Sequence, residues 1–388
     1  PYLYTIADRY KNGDNEIIYG GYDWAQYPSS YSFGGLGFAD VASNGITWEV
    51  AEKNDLGIDL ALFNDKFTAT IDYFDEKRTG IYMVRNYLPQ IVGLNGHNPA
   101  ANVGAVSSKG FDGHFSYKQR INDVNLTVRG NITYSKNEVL ERDEENNVYA
   151  YQMQRGYRVD QCKGLIAEGL FKDYDDIRNS PTQSWGKVQP GDIKYRDVNG
   201  DGVINGYDTK PIFRNKTPKL FYGFTLNAQW KNMDLTMVFQ GAGMYNIRFN
   251  EVFSQMFFNN GNLPAYFFDR WHLEDSYDPD NTNWVPGKWP ANRFSQEMGS
   301  SYRDSQACNM KASYLRLKSF EVGYILPRTF TKKYGVENLR LYFNAYNLFT
   351  FTDSFLKQFD PEKTEGDYGA GYNYPLTKSF NVGLSVSF

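Results

Sequence analysis

Residues 378–388, KSFNVGLSVSF, decide the fold of this chain. Every second residue in this stretch is apolar, and the apolar set is Phe380, Val382, Leu384, Val386 and Phe388. Such alternation predicts a β-strand that has one apolar face and one polar face. In lipid every backbone N–H and C=O group must be paired, so a sheet that spans a membrane closes on itself. We therefore expect a barrel strand whose terminal residue, Phe388, closes the barrel and places its ring in the interfacial aromatic belt.

The same alternation recurs along the chain, within residues 56–62, 67–73, 124–134, 222–230, 235–239 and 339–345. It predicts roughly ten strands, many of them about ten residues long, which is the length that a tilted membrane strand needs. Within residues 312–324 the alternation changes phase after Leu317, and a β-bulge near Lys318 would explain this slip. The sequence thus predicts an all-β protein, a transmembrane antiparallel β-barrel.

Short and long connections alternate between the predicted strands. The turns NDK, IND and KNM are very short, whereas residues 84–108, 139–190 and 244–310 form long connections. Outer-membrane barrels have tight periplasmic turns and large extracellular loops. A soluble β-sandwich also shows alternation, but its strands are usually about 5–6 residues long. Strand length and the asymmetry of the connections therefore favour the barrel.

The composition narrows the class of protein further. The net charge of −4 shows none of the excess basic charge that nucleic-acid binding needs, so no nucleic-acid partner is expected. No apolar run approaches the ~20 residues that a transmembrane helix needs. The two cysteines, Cys162 and Cys308, form neither a metal motif nor a disulfide framework. No HExxH motif, nucleophile elbow or Walker loop occurs, so we expect no enzyme and no catalytic residues.

The segment DVNGDGVINGYD, residues 197–208, matches the loop pattern of calcium sites. Its expected metal ligands are Asp197, Asn199, Asp201, the carbonyl of Val203, and Asp208. Ca²⁺ takes six to eight oxygen ligands, and this spacing wraps oxygen donors around one point. An EF-hand ends on glutamate, whereas Asp208 is shorter, and no helical pattern flanks this loop. We therefore expect a structural Ca²⁺ ion that pins a loop; an Asp/Asn/Gly-rich turn without metal is the alternative.

Residues 244–310 hold the candidates for ligand contact. Trp271, Trp284 and Trp289 lie there among tyrosine, phenylalanine, asparagine and aspartate residues. Aromatic rings with polar neighbours suit sugar rings or peptides, but such rings also pack loops or lie at the headgroup level of a membrane. Loop packing is the favoured interpretation for each single tryptophan. The sequence therefore leaves the substrate-binding residues unknown.

Several further motifs follow one another along nearly the whole chain. They are ITWE (46–49), NVGAVSSKGFDG (102–113), PGDIKYRDVNGDGVIN (190–205), YGFTLNAQWKNMDLTMVFQGAG (222–243), RW (270–271), ASYLRLKSFEVGYILP (312–327), LYFNAYNLFTFTD (341–353), DPE (360–362) and the final strand. In these motifs the chain resembles the C-terminal part of the SusC/RagA family of TonB-dependent outer-membrane transporters of Bacteroidetes. Because so many matches keep their order, the resemblance is specific.

The resemblance implies a 22-stranded barrel that holds an N-terminal plug, of which residues 1–388 form about half of the barrel. The plug and the N-terminal strands are not in this sequence, so we expect a longer polypeptide. Such barrels import a nutrient, an oligosaccharide or a peptide, and TonB energises the import by pulling on the plug. A SusD-like surface lipoprotein covers the mouth as a lid, and the barrel assembly machinery inserts the barrel in the lipid bilayer.

Two other functions stay open beside active import. A passive porin-like channel would use the same strands without TonB. A secreted calcium-binding β-rich binding module would use the calcium loop, with shorter strands and no terminal aromatic residue. The resemblance favours nutrient uptake through a plugged barrel, and the expected location is the outer membrane of a bacterial cell.

Overall fold

A computed structural model gives the fold of the chain. It describes residues 43, 45–85, 87–92, 98–145, 147, 149–212, 217–248, 251–258, 261–278, 280–292, 303–305, 307, 309–362, 374 and 376–388. The predicted calcium loop and Phe388 are among these residues, whereas Cys308 lies outside them. The helices found in the described part of the chain are all too short or too polar to cross a membrane.

Nine long strands, of nine to 22 residues each, form the main sheet. They are β1 (Val50–Leu62), β2 (Phe67–Val84), β3 (Ala100–Ile121), β4 (Val124–Glu141), β5 (Leu220–Trp230), β6 (Met233–Gly243), β7 (Tyr314–Ile325), β8 (Asn338–Phe351) and β9 (Ser379–Ser387). The strands lie in chain order, each beside the next. The pairs from β4 to β9 are antiparallel. The expected all-β antiparallel sheet is confirmed, with strands longer than those of a typical sandwich.

Short elements occupy the connections between these strands. The short strands pair as Lys163–Gly164 with Lys210–Pro211, Ala167–Leu170 with Ile193–Tyr195, Thr182–Gln183 with Val203–Ile204, Asn246–Arg248 with Asn309–Lys311, and His272–Leu273 with Trp284–Val285. The helices are α1 (Tyr174–Arg178), α2 (Glu251–Ser254), α3 (Arg328–Thr331) and 3-10 turns at Gln90–Val92, Ala150–Gln152, Gly206–Asp208, Ala265–Phe268, Lys332–Tyr334 and Phe355–Gln358. These elements are single turns or two- to four-residue pairs, so the main sheet carries the fold.

The chain divides into two compact units. The first contains the described residues of Pro1–Asn54, Asp75–Ser108 and Asn137–Val159, and the second those of Asp55–Phe74, Lys109–Lys136 and Asp160–Phe388. In the first unit, the N–H and C=O groups of buried Val139 bond Tyr157 and Gly156, each at 2.8 Å. An ion pair from Arg85 to Asp143 at 3.3 Å adds to this packing. The candidate sites all lie in the second unit.

Strand register in the second unit separates an apolar face from a polar face. One row across six strands is apolar: Leu126, Ala228, Leu235, Val322, Phe343 and Val382. The next row is polar: Thr127, Asn227, Thr236, Glu321, Asn344 and Asn381. We call the apolar face the outer face and the polar face the inner face. Val382 on the outer face is 83% exposed, as a side chain that meets lipid would be.

The bulge predicted near Lys318 is present. Against β6, Val238 pairs with Ser319 and Phe239 pairs with Leu317, so Lys318 is the extra residue. The register against β8 shifts at the same place, between Leu317 and Ser319. An extra residue in one strand changes which side chains face outward beyond it. The phase slip in the sequence therefore has the structural cause that was expected.

Short and long connections do alternate, although their bounds differ from those predicted. The short turns are residues 63–66, 122–123 and 231–232, with a longer turn at 326–337 that contains α3. The long connections are 85–99, 142–219, 244–313 and 352–378, and we call the end of the sheet where they emerge the long-loop end. The predicted connection 84–108 is wrong beyond residue 99, because the stretch AANVGAVSS is strand β3 despite its small side chains.

Candidate functional site

The connections 244–313 and 352–378 share one apolar core at the long-loop end. The buried members of this core are Ala242, Tyr245, Ile247, Ala312, Tyr314 and Leu356. The hydroxyl of Tyr245 donates to the carbonyl of Pro361 at 2.7 Å and so ties the two connections together. Burial raises the pKa of Tyr245, which keeps this hydroxyl protonated and able to donate. The two connections are therefore packed on each other.

The tryptophans of residues 244–310 mostly serve this packing. The ring of Trp289 has its centroid 5.1 Å from that of Tyr266 and 5.4 Å from that of Phe355. Trp271 is 8% exposed, and its backbone N–H donates to the backbone carbonyl of Trp289 at 2.9 Å. Trp284 is half-buried in the short strand pair with His272–Leu273. The loop-packing interpretation therefore fits Trp271 and Trp289, and no ligand role is assigned to them.

The predicted calcium loop is folded onto a small core within the connection 142–219. This core consists of Leu165, Ile193, Tyr195 and Ile204. Ile204 is fully buried, and Val203–Ile204 pairs in parallel with Thr182–Gln183. The loop is therefore held in place at its eighth position by apolar packing and at its seventh and eighth by backbone pairing.

Asp197 is the first residue of the calcium loop, and its carboxylate accepts hydrogen bonds from backbone N–H groups of the same loop. One carboxylate oxygen accepts the N–H of Gly200 at 2.6 Å, and the other accepts the N–H of Gly202 at 2.8 Å. Both glycines have left-handed backbones, with φ of 77° and 82°, so a side chain at either position would be strained. Burial alone would raise the pKa of Asp197, but these and neighbouring N–H groups outweigh burial and lower the pKa. The carboxylate is therefore ionised at neutral pH.

The next two candidate ligands bond each other. The side-chain amide of Asn199 donates to Asp201 at 2.9 Å, and the N–H of Asp201 donates to the amide oxygen of Asn199 at 3.1 Å. The other carboxylate oxygen of Asp201 accepts the N–H of Val203 at 2.8 Å. Both side chains are exposed or half-buried, so solvent ions can reach them. The arrangement is a set of Asx turns that brings three oxygen-bearing residues to one side of the loop.

Asp208, the last candidate ligand, is fully buried. Its carboxylate accepts the N–H of Val198 at 2.7 Å and the N–H of Asn205 at 2.8 Å. The side chain of Asn205 in turn accepts the N–H of Tyr207 at 2.7 Å, which completes a capping box around the 3-10 turn. Asp208 thus closes the loop by joining its two ends, a role that sequence spacing alone did not indicate.

The residues present can supply oxygen donors to a hard cation, but not from carboxylates alone. Within the described ranges, no three His, Cys, Asp or Glu side chains gather at one point. A calcium ion here would need Asn199 and the carbonyl of Val203 beside Asp197 and Asp201. A carboxylate oxygen has two lone pairs, so an oxygen that accepts one N–H can still bind a cation. The loop therefore fits Ca²⁺ in ligand chemistry, and calcium binding stays a prediction.

An ion cluster lies on the inner face of β6, β7 and β8. The guanidinium of Arg340 donates to Asp234 at 3.0 Å and to Glu321 at 2.7 Å. It reaches Asp234 across Gly323, whose missing β-carbon leaves room for the guanidinium. The side chains are 21–31% exposed. Two carboxylates and one guanidinium give this patch of the inner wall a net negative charge.

A second ion cluster joins the inner face of β7 to the connection 352–378. Arg316 lies 2.6 Å from Asp360 and 2.8 Å from Glu362, and Lys318 lies 2.7 Å from Glu362. Arg316 also donates to the hydroxyl of Thr350 in β8 at 2.9 Å. Sequence reasoning missed this cluster. The sequence did contain a signal for it. Two basic residues, Arg316 and Lys318, interrupt a strand in which apolar residues alternate, and the DPE motif at 360–362 follows further along the chain.

No protein-family model matches the chain. Among curated proteins, TonB-dependent receptor P3 of Formosa agariphila is 27% identical over 381 residues, covering 91% of this chain and 36% of the receptor. TonB-dependent receptor SusC of Bacteroides thetaiotaomicron is 24% identical over 376 residues, covering 94% of this chain and 34% of the receptor. The chain is therefore similar to TonB-dependent receptors, SusC among them, in agreement with the predicted resemblance. It spans between 34% and 40% of the length of the curated relatives it matches.

Solved structures share the fold of this chain. The RagAB peptide transporter matches with a TM-score of 0.68 and 21% identity, covering 93% of this chain and 37% of that one. RagAB in its open-open state matches with a TM-score of 0.67 and 20% identity. The TonB-dependent relatives are outer-membrane proteins, in agreement with the predicted location. They are receptors and transporters rather than enzymes, in agreement with that expectation too.

The expected role of Phe388 in closing the barrel stays a prediction. The structure places Phe388 directly after β9, with 86% of its surface exposed. Phe380, on the same face, stacks on Phe343 of β8 with 6.4 Å between ring centroids. The outer face of β9 is therefore continuous with that of β8.

Proposed function

We propose that this chain forms part of a plugged outer-membrane barrel that imports an oligosaccharide or a peptide. TonB energises the import, and a SusD-like surface lipoprotein serves as the lid. The observation that carries the proposal is the two-faced sheet, apolar outside and polar inside, whose fold matches RagAB, a peptide importer, over 93% of the chain. Similarity to the TonB-dependent receptor SusC supports the lid and the dependence on TonB.

The chemistry of the inner face supports a polar cargo. Its central row carries asparagine, threonine and glutamate side chains from six neighbouring strands. Asn227 donates to Thr236 at 2.8 Å, and Asn381 donates to Asn344 at 2.9 Å. Amides and hydroxyls exchange hydrogen bonds with sugar hydroxyls and with peptide groups alike. The row therefore suits both ligand classes and favours neither.

In this proposal residues 1–388 are the C-terminal portion of the barrel. The plug, which contacts TonB, and the N-terminal strands belong to a longer polypeptide. The coverage of about a third of each curated relative supports this division. A sheet of nine strands with both edges open would leave backbone groups unpaired in lipid, so the remaining strands have to close it.

The calcium loop has a structural role in this proposal. A Ca²⁺ ion bound by Asp197, Asn199, Asp201 and the Val203 carbonyl would hold the connection 142–219 in shape. The fixed backbone at Val203–Ile204 and the ionised Asp197 support the site. Asp208 would contribute by closing the loop, and its carboxylate is the shorter counterpart of the EF-hand glutamate.

The test uses the full-length receptor in its own outer membrane. Uptake of defined oligosaccharides and defined peptides is measured in cells with and without TonB, and the purified receptor is titrated with the same ligands. We expect uptake of one ligand class that stops without TonB, and a lipoprotein that copurifies with the receptor. Uptake that continues unchanged without TonB would instead support the porin-like channel.

A further inference from the structure

We propose that Arg316 and Lys318 form an ionic anchor that fixes the described ends of the connection 352–378, residues 352–362 and 376–378, to the inner face of the barrel wall. The partners in the connection are Asp360 and Glu362. The inference rests on the proposed function, because it takes the polar face as the inner wall of a conduit. It goes further by stating that these two segments stay attached to the wall.

The anchor is well formed and shielded from water. The side chains of Arg316 and Asp360 are each 4% exposed, and their charged atoms lie 2.6 Å apart. Glu362 bridges the two basic residues, with one carboxylate oxygen 2.8 Å from Arg316 and the other 2.7 Å from Lys318. Two positive and two negative charges balance. A buried ion pair holds its geometry strongly, because removing one partner leaves an uncompensated charge.

The bulge at Lys318 makes the anchor possible. In an unbroken strand, Arg316 would share a face with Phe320 and Val322, which lie on the outer face. The extra residue changes the phase, so Leu317 pairs with Phe239 among the outer residues and Arg316 pairs with Thr350 on the inner side. Charged side chains on the lipid face of a barrel are destabilising. The bulge thus moves two cations out of the lipid face and toward the connection.

The carboxylate of Asp360 also accepts two backbone N–H groups, one near each end of the connection 352–378. One carboxylate oxygen accepts the N–H of Glu362 at 3.0 Å, and the other accepts the N–H of Leu376 at 2.8 Å. Because Leu376 lies 16 positions further along the chain, this bond joins the two described ends of the connection, residues 352–362 and 376–378. One carboxylate, that of Asp360, therefore binds Arg316 and also joins these two segments to each other.

The apolar core holds the preceding part of the connection separately. Leu356 is fully buried in that core, and Phe355 packs on Tyr266 with 5.0 Å between ring centroids. Loss of the ionic anchor would leave these contacts in place. The effect should therefore be confined to residues 360–362 and 376–378 and should spare residues 353–359.

Hydrogen exchange of the full-length receptor in detergent tests the anchor. In Lys318→Glu we expect exchange of a peptide that contains Leu376 to rise at least about tenfold, because a half-buried like-charge contact with Glu362 replaces an ion pair. The exchanged pair Lys318→Glu with Glu362→Lys should restore exchange to within about threefold of the wild type, because it restores the charge balance. Lys357→Glu, an exposed change in the same connection, is the matched control and should leave exchange unchanged.

Fast exchange at Leu376 in the wild type would overturn the proposal, because a segment that stays attached to the wall has protected amides. Unchanged exchange in Lys318→Glu would overturn it as well. If Lys318→Glu fails to fold, the milder Glu362→Gln provides the same readout. The experiment uses neither ligand nor TonB, so its outcome is independent of whether the barrel imports a nutrient.

Discussion

The ring of Tyr342 in β8 lies over Gly383 in β9, in the space that a β-carbon at position 383 would occupy. The two residues are direct partners in the antiparallel pair. Glycine at this position lets the ring lie flat along the inner wall instead of pointing into the passage. The guanidinium of Arg340, two residues earlier in β8, lies 5.3 Å from the ring centroid. The ring therefore contacts the backbone of β9 and a cation of its own strand.

Gly383→Ala should destabilise the barrel by about 1–3 kcal/mol, because the new methyl group displaces the Tyr342 ring. The measurement is the temperature at which the full-length barrel loses its heat-modifiable mobility on gels. Tyr342→Ala combined with Gly383→Ala should recover much of the loss, since it removes the overlap. A double variant no better than the single one would contradict this account.

Arg340→Leu should lower barrel stability by about 1–2 kcal/mol, because Asp234 and Glu321 would then face each other without a cation on a half-exposed wall. The same thermal measurement applies. The triple variant Arg340→Leu, Asp234→Asn and Glu321→Gln removes all three charges and should be more stable than the single variant. Equal stability of the two would show that the charges are not coupled.

Deletion of Lys318 should leave the barrel able to assemble. It removes the bulge, and because Leu317 then directly precedes Ser319, Leu317 stays on the outer face and Arg316 stays on the inner face. Outer-membrane level and heat-modifiability of the full-length protein report assembly. Lys318→Ala keeps the bulge and loses only the charge, so it should assemble as well. Loss of assembly in the deletion variant alone would contradict the assignment of Lys318 as the extra residue.

Asp201→Ala should weaken Ca²⁺ binding by the full-length receptor at least about tenfold, because it removes one of few anionic ligands. Calorimetry with Ca²⁺ measures the affinity. Asp175→Ala, an exposed acidic residue of α1 in the same connection, is the control and should leave binding unchanged. An absence of any Ca²⁺ heat in the wild type would refute the calcium site.

Asp208→Ala should loosen residues 197–208 with or without calcium, because it removes the capping box.

The anchor should persist on mild acidification. Burial alone would raise the pKa of Asp360, but the hydrogen bonds from Arg316 and from the N–H groups of Leu376 and Glu362 outweigh burial and lower the pKa. A depressed pKa adds stability that is present above the ordinary value of about 3.9 and is lost as pH falls through the lower folded value. Exchange at Leu376, corrected for its intrinsic pH dependence, should therefore be equal at pH 7 and pH 5. Exchange that rises already between these two values would contradict the lowered pKa.

The sequence by itself predicted the features that depend on neighbouring residues. Alternation in residues 378–388 and in 222–230 predicted strands with two unlike faces, and the phase slip predicted the bulge at Lys318. The calcium pattern lies in an ordered loop in which Gly200 and Gly202 have left-handed backbones, while calcium binding itself stays a prediction. These features follow from backbone geometry with a period of two or from a single turn, so a short window contains them.

Tertiary structure decided the contacts between distant residues. Nothing near Asp360 in sequence indicates that its partners are Arg316, 44 positions away, and Leu376. The spacing predicts Asp208 as a metal ligand, and only the fold shows that its carboxylate also accepts the N–H of Val198 at the other end of the loop. The bounds of the connections also depended on pairing, since residues 100–108 become strand through their neighbours. Alternation is a property of one strand, whereas register and the path of a connection depend on every strand beside it, and only the assembled sheet contains that information.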